Sequence, residues 1–376
     1  TGGRRAVTGP TPLEVEADVW AGSRRIGLTG RMSRDGIPGL TAAAVIDASP
    51  AWSRAHGLAS AEDGSPVAAD TVFQACSLSK PVAAVGVLTL VADGRIGLDE
   101  DVRSKLAYDV PRHRLYRGGD PAITVRRLLM HRNGITGRGT TPDKTGRRFV
   151  RGGGGSVRLP GTYDRPIPTV EDFWPGYRGR RGVMVTHASD QQRSYSGLGY
   201  LVLEHLCEQV TGRPFSDWMS ERVLDPIGMH ASSFDLDPDL GLPLASGHDR
   251  HGRVLPGQRE ICPWSAAAGL YTTAADLARF VACLVDRGQA RGAAVVDADL
   301  VETMLGEGLC VSVVGHGSRA RFTHTGSNGG FRTVMVGYPH QRGGVVAMAN
   351  GAGSDVQAGI NALAVAAGRA YGWPYR

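Results

Sequence analysis

The chain reads as an α/β fold. Strands from its two ends build one antiparallel sheet, helices flank that sheet, and the middle forms an all-helical lobe. Three observations predict this. Strand-like runs cluster early, at Leu40–Ile46 and Trp52–Ala59, and late, at Leu309–Val314, Thr333–Tyr338 and Gly344–Ala349. Between them apolar residues recur at helical spacing. Helical stretches also bracket the strands, at 12–35 and at the alanine-rich Ser354–Tyr371.

Taken in order, residues 12–35 carry Leu13, Val15, Val19, Trp20, Ile26, Leu28 and Met32 among charged residues and predict an N-terminal helix, stopped by Gly36-Ile37-Pro38-Gly39. Two strands follow, with Asp63-Gly64 in the loop after them. Thr71–Gln74 leads into an apolar helix that contains Ser77 and ends at Asp93-Gly94, where glycine suits a left-handed cap. Thr124 is placed to cap a helix over Val125–Met130. From Gly134 to about Val185 the chain is rich in glycine, proline and arginine, yet carries Tyr163, Phe173, Trp174 and Tyr177. Aromatic residues in so long a connection predict a packed lid or pocket wall. Leu198, Leu201, Val202, Leu206 and Val210 mark a helix over Tyr195–Val210, and further helices are predicted at Phe215–Leu224 and Ala274–Val285, the last capped by Thr273. Pro339–Gly343 joins the last two strands as a hairpin. The whole is expected to be one catalytic domain over 1–376, with an α/β lobe from about 1–75 and 300–376 and a helical lobe from about 76–299.

Composition narrows the function. With 376 residues, 41% hydrophobic and 21% charged, the chain has the make-up of a soluble globular protein. No stretch reaches the roughly 18 uninterrupted apolar residues of a membrane span. The net charge of +6 is scattered, without a basic stripe interleaved with aromatics, so no nucleic-acid partner is expected. Five cysteines, with no C-x-x-C pair, favour free thiols and a reducing, cytoplasmic compartment. The N-terminus, Thr1-Gly2-Gly3, lacks a methionine and an apolar run behind it, and the expectation is either no signal peptide or a numbering that starts after processing. No histidine cluster has metal-ligand spacing, and no phosphate-binding glycine loop follows a strand, so neither metal nor cofactor is expected.

The chemistry centres on Ala75-Cys76-Ser77-Leu78-Ser79-Lys80-Pro81. A serine hydroxyl needs a base within hydrogen-bond reach to become a nucleophile, and an amine one helical turn away can serve. Among 42 basic residues only Lys80, Lys105 and Lys144 are lysines. In a chain that defaults to arginine, a lysine is the cation that can lose its proton. Tyr195-Ser196-Gly197, at the start of a helix, offers a phenol for proton relay, with a packed aromatic as the bland alternative. His324-Thr325-Gly326-Ser327-Asn328-Gly329-Gly330 suits a strand edge along which a substrate lies, or else a bulged glycine turn. There a backbone N–H can donate to an oxyanion and the Thr325 hydroxyl can hold a carboxylate. His56, His131, His316 and His340 have no visible partner and read as structural or surface residues. No G-x-S-x-G elbow occurs.

With these stretches in view the chain resembles the serine β-lactamase and penicillin-binding-protein superfamily, in its class C β-lactamase-like branch of esterases, DD-peptidases and acyltransferases. The resemblance extends over nearly the whole chain: Gly36–Gly39, Thr71–Phe73, Ser77–Lys80, Thr124–Leu129 with His131, Tyr195–Tyr200, Gly212–Phe215, Asp225–Met229, Ala267–Thr273 with Asp276-Leu277, and His324–Arg332. It implies a β-lactamase/transpeptidase-like fold and attack by Ser77 on an ester or amide carbonyl. It also implies a base role shared by Lys80 and Tyr195, with His324 in the site, and an oxyanion hole from the backbone N–H groups of Ser77 and Ser327. Thr325, Gly326, Gly197 and Asn328 would then meet substrate. Two departures stand out. The family's Tyr-x-Asn has Gly197 in its third place, and its Lys-Thr-Gly reads His324-Thr325-Gly326. Both point away from β-lactamases, and the histidine points toward DD-peptidases, aminopeptidases, esterases and peptide-cyclising acyltransferases. The expectation is therefore a serine hydrolase or transacylase with a small ester or amide substrate and water, an amine or an alcohol as acceptor, in a natural-product pathway. A DD-peptidase or β-lactamase, and a catalytically silent binding protein, are the alternatives.

Overall fold

The computed structural model describes residues 9–107, 122–137, 183–185, 193–235, 240–259, 262 and 264–375. In chain order, helix α1 (Pro12–Ala17) and helix α2 (Gly27–Asp35) precede strands β1 (Gly39–Ile46) and β2 (Ser49–Gly57). A short strand β3 (Phe73–Gln74) leads through a 3-10 turn, Cys76–Leu78, into helix α3 (Ser79–Ala92). Helices α4 (Val125–Leu129) and α5 (Gly197–Thr211) follow, then strand β4 (Tyr271–Thr272), helix α6 (Ala274–Val285) and helix α7 (Ala298–Glu307). Strands β5 (Ser312–Val314), β6 (Arg321–Asn328), β7 (Phe331–Tyr338) and β8 (Gly343–Ala349) and helix α8 (Ser354–Ala370) close the chain.

Six strands form one antiparallel sheet in the order β5-β6-β7-β8-β1-β2, so both ends of the chain meet at the β8–β1 pairing. Alternation along β1 explains its fully buried run. Leu40 and Ala42 face one apolar layer with Val345 and Ala347, whereas Ala43 and Val45 face the other with Val346 and Met348. The first layer is closed by Val15 of α1, Leu28 of α2, and Ile360 and Leu363 of α8. The second is closed by α6, which packs across β8 and β1. The long helical middle rests on this second side, centred on α3. Every residue of α3 from Ser79 to Leu90 is buried, as befits a helix surrounded by others. Pro81 is tolerated because it lies in the first turn. Among the described residues no helix is long and apolar enough to cross a membrane, and all five cysteines are free and buried.

Several expectations change. The helix predicted over 12–35 is two helices separated by a tight hairpin, Trp20–Ala21 against Arg24–Arg25. Gly22 and Gly27 adopt left-handed backbone, which a continuous helix forbids. Both pieces bury residues in the same layer, and that produced the uninterrupted helical pattern. The strand expected at Leu309–Val314 is only Ser312–Val314, and α7 before it was not foreseen. The helix at Phe215–Leu224 ends in a π-turn over Ser220–Leu224. The lid reading of 134–185 falls outside the described residues, except that Ile135–Gly137 pairs antiparallel with Val183–Val185.

Candidate active site

The turn carrying Ser77 is held on three sides. Beneath it, β3 pairs with β4, and the Ala75 N–H donates to Leu270 O at 2.8 Å. Within it, the Ser79 hydroxyl donates to Cys76 O (2.6 Å) and accepts from the Leu270 N–H (2.9 Å). Beside it, the Thr333 hydroxyl of β7 donates to Ala75 O (3.0 Å). Cys76 sits at φ 54°, an unfavourable left-handed conformation for a residue with a side chain. That conformation turns the chain so that Ser77 emerges at the head of α3.

Lys80 is fully buried, one turn on from Ser77. Its ammonium nitrogen lies 3.2 Å from Ser77 Oγ and donates to Ala267 O at 2.6 Å. It also sits 4.9 Å from the centroid of the Tyr195 ring and 5.5 Å from that of Tyr200. Ala267 belongs to a π-helical turn, Ser265–Gly269, packed against α3 and α5. That turn is anchored by Glu204 of α5, whose carboxyl accepts from the Ala266 N–H at 2.9 Å. Burial raises the Glu204 carboxyl to about 8 against the bond from Ala266, so it stays protonated at neutral pH. The native state therefore keeps a proton that the unfolded chain releases from about pH 4.5, and stability falls with rising pH until about pH 8. Glu204→Gln keeps the acceptor and removes the titration. It is expected to flatten the stability profile across this window, measured by urea unfolding at stepped pH.

Tyr195 precedes α5, whose cap is the Ser196 hydroxyl accepting from the Gly199 N–H. Gly197 is the first, buried residue of that helix. The corner is held by His131, which sequence reasoning left among structural or surface residues without a partner. In the structure His131 is buried against Tyr195, with ring centroids 4.4 Å apart. Its Nδ1 accepts from the Ser196 N–H (3.2 Å) and its carbonyl from the Ser194 N–H (2.8 Å). Desolvation, then the positive charges of Lys80 and Arg193, hold it neutral, down to about 2. His56 also has a partner, Glu16, at 2.9 Å.

The 324–330 motif is a regular strand rather than a bulge, since β6 pairs with β7 in unbroken register from Phe322 to Asn328. On its other side β5 reaches only Thr323, so residues 324–328 present an open edge among the described residues. Gly326 is where β6 meets the Ser77 turn. A Cβ there would stand 2.2 Å from Thr333 Oγ1, 2.7 Å from Cys76 Cβ and 2.9 Å from Ala75 O. Gly326→Ala is expected to push the strand off the turn, costing about 1–3 kcal/mol of stability and most of the activity, measured by unfolding and turnover together. His324 Nδ1 lies 2.8 Å from Thr325 O. Desolvation, then Lys80, pushes His324 down to about 3, so the ring is neutral. Facing a carbonyl, Nδ1 must carry the hydrogen, which leaves Nε2 as an acceptor. Thr325 and Ser327 are exposed. Asn328, expected to meet substrate, is buried, and its amide points to Gln74 Oε1 (3.5 Å) and Ala268 O (3.4 Å) as a brace. Among the described residues no group of three His, Cys, Asp or Glu is placed to hold a metal ion.

Ser77, Lys80, Tyr195 and the open edge of β6 thus converge, and the arrangement suits attack on a carbonyl laid along that edge. Comparison with known proteins agrees in family. The family model described as Beta-lactamase matches residues 28–370. Esterase EstB of Burkholderia gladioli is 30% identical over 251 residues, 61% of this chain and 60% of the esterase. Penicillin-binding protein 4 of Amycolatopsis lactamdurans is 28% identical over 262 residues, 68% of this chain and 61% of that protein. The matched region therefore spans about three fifths of these relatives. The octameric penicillin-binding protein homologue from Pyrococcus abyssi superposes with a TM-score of 0.72 at 20% identity, over 92% of this chain and 76% of that one, a likeness of fold.

Proposed function

The chain belongs to the Beta-lactamase family, and from that premise we propose that it is a serine acyl-transfer enzyme acting on an ester or amide through an acyl-Ser77 intermediate. The observation that carries this reading is the buried amine of Lys80 set 3.2 Å from the Ser77 hydroxyl. Ala267 O fixes that amine, so it does not wander from the hydroxyl. In the attacking step the Ser77 proton passes to the Lys80–Tyr195 pair, and the Ser77 oxygen bonds to the carbonyl carbon. Backbone N–H groups of Ser77 and Ser327 take the charge that develops on the carbonyl oxygen. Collapse expels the alcohol or amine, which leaves with the proton held by the Lys80–Tyr195 pair. Water, or a second alcohol or amine, reverses the sequence and frees Ser77. Gly326 and His324 support the open edge along which the acyl donor lies.

Gly197 favours an esterase or transacylase over a β-lactamase or DD-peptidase, and His324 weighs against a β-lactamase. Gly197 offers no amide where the family pattern places asparagine, and His324 is neutral where that pattern places lysine. EstB is an esterase by name, whereas other relatives are named penicillin-binding proteins. Parallel incubation with a p-nitrophenyl ester and a fluorescent penicillin separates the two. Ester turnover without a stable fluorescent adduct supports the proposal. Rapid penicillin acylation without ester turnover would move the assignment to the penicillin-recognising branch.

A further inference from the structure

The turn that fixes Lys80 has few means of its own to stay in place. Its residues, Ser265-Ala266-Ala267-Ala268-Gly269, form a π-helical turn with no side-chain cap. Their small side chains give it little with which to grip its neighbours, so hydrogen bonds to its backbone set its position. Trp264 O accepts from the N–H groups of Ala267 (2.9 Å) and Ala268 (3.1 Å), which closes the turn on itself. On the side of the nucleophile turn, the Ser79 hydroxyl accepts from the Leu270 N–H at 2.9 Å, and the Asn328 amide lies 3.4 Å from Ala268 O. On the side of α5 the tie is Glu204, whose Oε2 accepts from the Ala266 N–H at 2.9 Å. The next residue, Ala267, offers its carbonyl to Lys80 Nζ at 2.6 Å, and that nitrogen stands 3.2 Å from Ser77 Oγ. A run of contacts therefore leads from Glu204 through the turn to Lys80 and Ser77.

Glu204 is also an odd residue for its place. Every residue of α5 from Gly197 to Cys207 is buried, and Glu204 itself is only 7% exposed. Burying a carboxyl there costs free energy that leucine would not. A polar group set in an apolar run at a cost in stability points to a task beyond packing.

We propose that Glu204 is a positioning residue for acyl transfer: through the Ala266 N–H it holds the Ala267 carbonyl where that oxygen keeps Lys80 Nζ on the Ser77 hydroxyl. The inference rests on the acyl-Ser77 reading, because the place of Lys80 governs turnover only if Ser77 is the nucleophile.

The test measures p-nitrophenyl butyrate turnover and thermal unfolding in Glu204→Leu, in Glu204→Gln, and in Glu204→Leu combined with Lys80→Ala. Leucine fills the space without an acceptor, whereas glutamine keeps one. Glu204→Leu is expected to fold and to lose about 10²-fold in kcat, the order that a small misplacement of a reacting group costs. KM should stay near wild type, because the open edge of β6 is untouched. Glu204→Gln should keep most of the turnover. In the Lys80→Ala background Glu204→Leu should cost little further turnover, since the group it positions is gone, while its effect on the unfolding temperature should be the same in both backgrounds. Should Glu204→Leu fail to fold, Glu204→Met takes its place with a longer and more adaptable apolar chain. Near-wild-type kcat in the apolar variant, an equal loss in Glu204→Gln, or an undiminished loss in the Lys80→Ala background overturns the role of Glu204 and leaves the acyl-enzyme reading intact. Turnover that survives Ser77→Ala overturns both.

Discussion

Replacing Lys80 by alanine is expected to lower kcat/KM for an activated ester by about 10³-fold, within the span set by losing a positioned general base. The argument is geometric. Among the described residues Lys80 is the basic side chain within hydrogen-bond distance of Ser77 Oγ, and burial together with Ala267 O keeps it there. Lys80→Arg is the sharper variant. It retains a cation that can reach Ala267 O, but guanidinium does not give up its proton at working pH. A comparable loss in both variants, with thermal unfolding near wild type in Lys80→Arg, assigns the effect to proton transfer. Near-normal turnover in Lys80→Arg would mean that the side chain serves only as a fixed positive charge.

Replacing Ser77 by alanine is expected to remove at least about 10³-fold of ester turnover, because the rest of the site then retains only binding and oxyanion stabilisation. The change deletes one hydroxyl beside Lys80. The turn is carried by other bonds, through Ala75, Ser79 and Thr333, so the fold should survive. A near-wild-type unfolding curve with lost turnover is the expected pair of results, and turnover that persisted would place the nucleophile elsewhere. Combining Ser77→Ala with Lys80→Ala should cost little more than either alone, since the two groups act as one unit.

What the sequence disclosed about this site depended on whether side chains or backbone do the work. Ser77, Lys80, Tyr195 and the 324–330 strand could be read because each is a residue type with distinctive chemistry at a suggestive spacing. Ala267 could not, because it contributes a carbonyl oxygen that any residue would supply. Ser79 and Thr333 brace the nucleophile turn from positions where serine and threonine have no special signature. Glu204 did leave a trace, as one acid within the apolar run Leu201–Leu206, though the π-helical turn it anchors lies some sixty residues on. His131 was passed over because its partners, Tyr195 and Ser196, are distant in sequence. In the fold, the meeting of first and last strands followed from pattern alone, since apolar runs of strand length needed a common sheet. The N-terminal break did not, because both helices bury residues in the same layer and the hairpin between them is two residues a side. Helix α7 had its caps in view, Asp297 and a left-handed Gly308, but only Val301 and Met304 are buried along it, too few to reveal a period.

The most direct test of the central claim is intact-mass measurement of the chain after brief mixing with a p-nitrophenyl ester, followed by peptide mapping. The acyl-enzyme account predicts a mass increase equal to one acyl group, located on the peptide that contains Ser77, rising and decaying with turnover and absent in Ser77→Ala. Turnover with no adduct on that peptide under any quench, or an adduct that persists in Ser77→Ala, would contradict it.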